Sequence, residues 1–254
     1  MTENTNLPPY GQIAPIYDIL MSDVDYRSWT EYILKLLERA GARPGQSLLD
    51  LACGTGTMTL LLAKAGYRVT GMDLSPEMLK VARQKTMDQG LALEFFQGDL
   101  RTLKTESNYN VITCFFDSVN YLLIPEDVAA CFASVHQALE PGGTFIFDVN
   151  TIHALSQFWG NNTEMRDDKG VISIWSNRYL PAAQISNLEL TVFVPRGELY
   201  EKITEHHKER AYPLDELKQA LIKTGFFQVE CFRQNSQDQP SEETKRVTFL
   251  VRKP

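Results

Sequence analysis

The chain is predicted to fold as an α/β protein: a doubly wound, seven-stranded, mostly parallel sheet whose last strand is antiparallel, with a small antiparallel β insertion over one edge. Three observations predict it. Strand-like and helix-like patterns alternate from residue 47 to 149, which argues for a parallel sheet covered by helices on both faces. A glycine-rich turn at 54–56 joins an apolar run to a helical pattern. Beyond residue 151 the period changes to two, the mark of a half-exposed antiparallel sheet.

The elements follow in order. Residues 1–12, with Pro8-Pro9 and no periodicity, read as a loose arm. Trp29, Tyr32, Ile33, Leu36 and Leu37 form a helical stripe from Tyr26 that stops at Gly41, before the breaker Pro44-Gly45. Strand 47–52 leads to helix 57–65, and strand 68–73 leads to a helix from Pro76 that Ser75 caps. Strand 92–97, strand 109–116, helix 126–139 and strand 143–149 complete the alternating part. Segments 171–179, 185–194 and 199–210 then alternate. In the second, Leu188, Leu190, Val192 and Val194 share one face while Glu189 and Thr191 share the other. Helix 213–224, strand 226–233, a polar hairpin loop at 234–243 and strand 244–252 close the chain. The expected organisation is an N-terminal arm and helix over 1–40, a core of 41–150 and 211–254, and a β cap over 151–210.

Bulk properties narrow the function. The 254 residues are 43% hydrophobic, enough for a sizeable core, and carry a net charge of −7. An acidic chain with a pI near 5.2 lacks the basic face of a nucleic-acid backbone binder. No apolar run approaches the ~18–20 residues of a membrane span, and the polar start, Met1-Thr-Glu-Asn, has no secretory pattern. A cytoplasmic protein is expected, monomer or homodimer, with no nucleic-acid or membrane partner. The four cysteines, Cys53, Cys114, Cys131 and Cys231, form no Cys-x-x-Cys pair and read as buried free thiols; no metal site is expected.

The chemistry concentrates at the carboxyl ends of the strands, where open α/β sheets hold their ligands. Asp50 precedes the turn Cys53-Gly54-Thr-Gly56, whose glycines let a ligand approach the backbone. Asp73 ends the second strand, placed to accept both hydroxyls of a ribose. Asp99, between Gly98 and Leu100, is placed to meet an adenine amine. A nicotinamide-binding fold is the nearest rival, but the third glycine of its fingerprint is missing, since position 59 is Thr.

Together Asp50-Leu-Ala-Cys-Gly-Thr-Gly56, Gly71-Met-Asp73, Gln97-Gly-Asp-Leu100 and Leu139-Glu-Pro-Gly-Gly143 resemble the motifs of class I S-adenosylmethionine-dependent methyltransferases. The resemblance covers residues 45 to 150, and the last helix and two strands fit it. It implies S-adenosyl-L-methionine as cofactor, with S-adenosyl-L-homocysteine as product. The donor site it implies contains Tyr17, Tyr26, Asp50, Ala52, Cys53, Gly54, Gly56, Asp73, Leu74, Met78, Gly98, Asp99, Leu100 and Phe115. Phe116-Asp-Ser-Val-Asn-Tyr-Leu122 resembles the acceptor-side loop of the aminosugar N,N-dimethyltransferases and of glycine N-methyltransferase. Ile16-Tyr17-Asp18 and Asp25-Tyr26-Arg-Ser-Trp29 resemble the arm of the former group. Tyr121 stands where several of these relatives carry His.

From these resemblances the expected catalytic residues are Tyr17, Tyr121 and Asn120, and the expected acceptor contacts are Phe116, Ser118, Asn150 and His153. A general base is required only if the acceptor arrives protonated, and His153, His206 and His207 are its candidates. The expected activity is methyl transfer to a small-molecule acceptor, on nitrogen, by in-line displacement, with the β insertion capping the active site. The alternatives are O-methylation of a small metabolite and a donor-binding module without turnover.

Overall fold

The computed structural model describes residues 9–254. Of the expected arm, residues 1–8 lie outside this range. The chain then enters a single turn at Ala14–Ile16, α1 (Tyr17–Leu20) and α2 (Tyr26–Arg39). The core continues through β1 (Ser47–Leu51), α3 (Thr57–Lys64), β2 (Arg68–Asp73), α4 (Pro76–Asp88), β3 (Glu94–Gln97), β4 (Tyr109–Cys114), α5 (Pro125–Ala138) and β5 (Leu139–Asn150). Four further strands follow: β6 (Thr163–Asp168), β7 (Val171–Leu180), β8 (Ile185–Arg196) and β9 (Leu199–Arg210). The chain ends with α6 (Leu214–Thr224), β10 (Gln228–Arg233) and β11 (Arg246–Arg252).

Seven strands form one sheet in the order β10-β11-β5-β4-β1-β2-β3. β1 to β5 run parallel, and β11 lies antiparallel between β10 and β5. The order reverses between β1 and β4, so the carboxyl ends of these strands open the crevice in which such sheets hold ligands. Apolar layers cover both faces. Ile112, Phe132, Phe145, Phe147 and Phe249 pack on one side, and Ile33, Leu36, Leu37, Leu48 and Leu62 on the other.

Gly56 shows how the sequence sets this packing. It caps α3 in the left-handed region, at φ +74°, and a Cβ built on it would lie 2.9 Å from the Cβ of Ala82 on α4. Gly56→Ala should therefore strain the backbone and push α3 from α4, costing about 1–3 kcal/mol. Denaturant unfolding would measure the loss.

The second sheet, β6-β7-β8-β9, is antiparallel. Three strands were expected there; β6 is the fourth. Its sequence, Thr-Glu-Met-Arg-Asp-Asp, is mostly exposed on both faces and carries no alternation. Its place comes from the two-residue turn Lys169-Gly170, both at positive φ, as a tight hairpin demands. The apolar face of β8 is buried as expected, but Thr191 on the opposite face is also covered, paired with Thr204 at 3.2 Å. The N-terminal segment covers the apolar face: Ile13 and Leu20 pack against Val171, Leu188, Leu190, Val192 and Val194. Fully burying such aliphatic side chains contributes about 1.5–3 kcal/mol each.

β4 ends two residues before its expected limit. Phe116 and Asp117 take φ values of +56° and +53°, because their N–H groups turn to donate to the buried Asp148 carboxylate at 3.0 and 2.8 Å. That bend aims the 116–122 segment across the mouth of the crevice.

Candidate active site

Two cavities meet above the carboxyl ends of the first sheet. The first, of about 300 Å³, sits over the turn that follows β1. Asp73, at the tip of β2, organises it. Its Oδ2 accepts the N–H of Gly54 at 2.7 Å and its Oδ1 that of Ser75 at 2.8 Å. Both oxygens keep lone pairs for a ligand. Burial pushes this carboxyl above the usual range, and the backbone donors pull it back. Asp50, at the end of β1, is 2% exposed and accepts from Thr59 at 2.6 Å and Thr113 at 2.8 Å; burial pushes it up to about 6.

Tyr17, Tyr26, Asp50, Ala52, Cys53, Gly54, Asp73, Leu74, Met78, Gly98, Asp99, Leu100 and Phe115 line this cavity, together with Phe116, Ser118 and Tyr121. Gly56, expected among them, lies outside the lining. Its requirement is the close approach to Ala82 described above. The Asp99 carboxylate, expected to face an adenine, is engaged by Arg101, whose side chain binds it with a shortest distance of 2.6 Å. Arg101 also lines the cavity and had no signal in the sequence.

The second cavity, of about 260 Å³, lies between the bend after β4, the end of β5 and the inner face of the second sheet. Tyr10, Tyr17 and Phe116 wall both cavities. Its other lining includes Asp117, Asn150, Trp159, Trp175, Glu209 and Arg246. Arg246 donates to Asp148 and to Asp117, each at 2.6 Å, and its guanidinium stands 5.3 Å from the Trp29 ring centre. Burial holds Asp148 above the usual carboxylate range although Arg246 pulls it down. Glu209 faces the cavity from β9 and accepts from the Asn150 amide at 2.9 Å. Burial, and then the charge of Asp117, push its carboxyl up to about 8.

Several expected site residues stand elsewhere. Asn120 is 0% exposed and lines neither cavity. Its amide donates to the carbonyls of Asn150 and Arg210, and its oxygen accepts the N–H of Asn150. These bonds fasten the 116–122 segment to β5 and β9. His153 begins the turn after β5 and lines neither cavity. His206 points away to the exposed Glu189, 3.9 Å off. His207 is 2% exposed and stacks on Tyr10 at 4.2 Å, behind the cavity wall. None of the three histidines considered as a base lines either cavity. Burial raises the hydroxyls of Tyr17 and Tyr121 well above their ordinary value, so both present neutral phenols.

The segment that walls both cavities is held at two points. Glu205 on β9 accepts the backbone N–H groups of Tyr10, Gln12 and Ile13 at 2.7, 2.8 and 3.2 Å. Asp18 accepts from Thr55 at 2.6 Å and pairs with Lys85 of α4 at 2.7 Å. The Tyr10 and Tyr121 hydroxyls also meet. Tyr10, Glu205, Glu209 and Arg246 were not singled out in the sequence. The available signal was parity on β9, where Ile203, Glu205, His207 and Glu209 share a face.

This geometry matches known proteins. The family model described as a methyltransferase domain covers residues 48–143. A provisionally named methyltransferase of Geobacillus sp. (strain WCH70) is 34% identical over 246 residues, 96% of this chain and 99% of that protein. The crystal structure of an S-adenosylmethionine-dependent methyltransferase from Clostridium acetobutylicum superposes with a TM-score of 0.87 at 33% identity, covering 97% of this chain and 99% of that one. A dTDP-3-amino-3,4,6-trideoxy-alpha-D-glucopyranose N,N-dimethyltransferase of Streptomyces venezuelae is 34% identical over 137 residues, 53% of this chain and 56% of that protein. The chain belongs to the S-adenosylmethionine-dependent methyltransferases. The donor fits the first cavity, where a carboxylate with free lone pairs stands beside a backbone turn open to approach at Gly54. Among the described residues no helix is long and apolar enough to cross a membrane, and no cluster of His, Cys, Asp and Glu is arranged to hold a metal.

Proposed function

We propose that the protein transfers a methyl group to the nitrogen of a small-molecule acceptor held in the second cavity. The observation that carries this reading is the junction of the two cavities at Tyr10, Tyr17 and Phe116. When bound, S-adenosylmethionine supplies a methyl group on a positively charged sulfur. Asp73 and the 52–56 turn hold the donor, and Tyr17 and Tyr26 cover it. Phe116 and Ser118 stand on the acceptor side, and Asn150 reaches the acceptor from β5. Aromatic faces and neutral phenol oxygens at the junction suit a positive charge passing from sulfur to acceptor. Alignment supplies much of the acceleration, since displacement needs the acceptor lone pair in line with the methyl carbon.

In this reading residues 1–40 cover the donor, 41–150 with 211–254 form the core, and 151–210 cap the acceptor. A cavity of about 260 Å³ walled on one side by the second sheet suits a metabolite better than a polymer. The name of the Streptomyces venezuelae relative supports nitrogen as the acceptor atom.

Donor carrying a trideuterated methyl group, incubated with the protein and a soluble metabolite extract, tests the proposal by mass spectrometry. The expected product is one labelled small molecule with the label on nitrogen. Label on oxygen would replace N- by O-methylation, and tight donor binding without any product would leave a binding module.

A further inference from the structure

The second cavity carries an imbalance of charge. Asp117, Asp148 and Glu209 face a single guanidinium, that of Arg246, which is committed to the two aspartates. The cavity's other cation, Arg166, is matched by Glu164 at 2.9 Å and Asp23 at 3.3 Å. Glu209 is left without a cation of its own, bonded to the Asn150 amide and set against the Asp117 carboxyl. An independent observation marks the same spot. The side-chain oxygen of Asn150, a residue 3% exposed that lines this cavity, has no hydrogen-bond partner. A buried acceptor without a donor costs about 1–3 kcal/mol, so it calls for a ligand that donates. Beside it stands the Glu209 carboxyl, which a bound cation would let ionise, and no histidine lines the cavity.

We infer that the acceptor is a primary or secondary amine that arrives as its ammonium ion, is gripped between Glu209 and the Asn150 oxygen, and surrenders its proton to Glu209. The inference rests on the methyl-transfer reading above and deepens it. An ammonium has several N–H donors and no lone pair, so it satisfies both groups and cannot react. Proton transfer from nitrogen to the Glu209 carboxylate leaves a neutral amine. The nitrogen lone pair then forms the bond to the methyl carbon while the methyl–sulfur bond breaks, its electron pair remaining on sulfur as a neutral thioether. The product leaves as a methylated ammonium, and Glu209 keeps the proton until the next ammonium displaces it to water. Burial and the Asp117 charge push the Glu209 carboxyl of the empty cavity up to about 8, which makes it a stronger proton acceptor than an ordinary carboxylate. In the empty cavity Glu209 holds a proton at pH 7, and an arriving ammonium displaces it.

The test uses the labelled donor and the metabolite extract, followed by kinetics on the product's unmethylated parent. The expected parent is an amine, and Glu209→Gln, which keeps an acceptor for Asn150 and the folded stability, lowers kcat/KM by about 10²-fold or more at pH 7, with Glu209→Asp in between. Calorimetry of that amine with S-adenosylhomocysteine present, in buffers of different ionisation enthalpy, should record about one proton released by the wild type and none by Glu209→Gln. A labelled product without an amine would overturn the inference and leave the methyltransferase reading standing. Wild-type kcat/KM or proton release in Glu209→Gln would overturn the role of Glu209. Donor binding with no labelled product at all would remove the parent reading and the inference together.

Discussion

Asp73→Ala should weaken S-adenosylhomocysteine binding by about 100-fold, an expected result that isothermal calorimetry can read directly. The carboxylate has two duties. It accepts the backbone N–H groups of Gly54 and Ser75, which shapes the turn after β1, and it offers its remaining lone pairs to the cavity. Hydrogen bonds to a charged acceptor contribute about 1.5–3 kcal/mol each, and losing about 3 kcal/mol corresponds to ~100-fold in affinity. Asp73→Asn keeps the shape but replaces one acceptor with a donor, and an intermediate loss is expected. Near-wild-type affinity in Asp73→Ala would sink the assignment of this residue to the ribose.

Arg246→Met carries the largest expected cost in stability, about 3–5 kcal/mol, because it strands Asp117 and Asp148 without their cation. The pH dependence follows from Asp148, whose folded-state carboxyl already lies above its ordinary value. A carboxyl raised by folding binds protons more readily in the native state than in the unfolded chain. Its contribution is therefore fullest at low pH and is lost as pH rises through its folded value. Without Arg246 the rise is greater, so the variant should regain part of its lost stability on acidification from neutral pH toward 5. Thermal unfolding at several pH values checks both the size and the sign. A variant that stays equally destabilised at pH 5 and 7 would mean that Asp148 is not the group responsible.

The core was legible in the sequence because its signals are local. The apolar run before Gly54, the Ser75 cap, whose hydroxyl accepts the Met78 N–H at 3.3 Å, and the acids at strand ends each declare themselves within a few residues. The same locality made most of the first cavity's lining legible. The second cavity draws Asp117, Asn150, Glu209 and Arg246 from four separate segments, and only the fold brings them together. Glu209 sits in Glu-His-His-Lys-Glu-Arg, which reads as a solvated strand, and Arg246 in a final strand that otherwise reads as sheet filler. β6 escaped for a related reason: a polar edge strand needs no apolar face, so it leaves no period. Asn120 is a further case: its amide is spent on the backbone carbonyls of Asn150 and Arg210, partners that lie far from it in the sequence.

The double fastening of the N-terminal segment has a consequence for how such a protein can diversify. Glu205 ties it to the strand that also carries Glu209, while Asp18 ties it to Lys85 beside the donor turn. Substitutions near Glu209 on β9 therefore tug on the segment that walls both cavities. Swapping the second sheet between relatives should succeed only when the N-terminal segment travels with it.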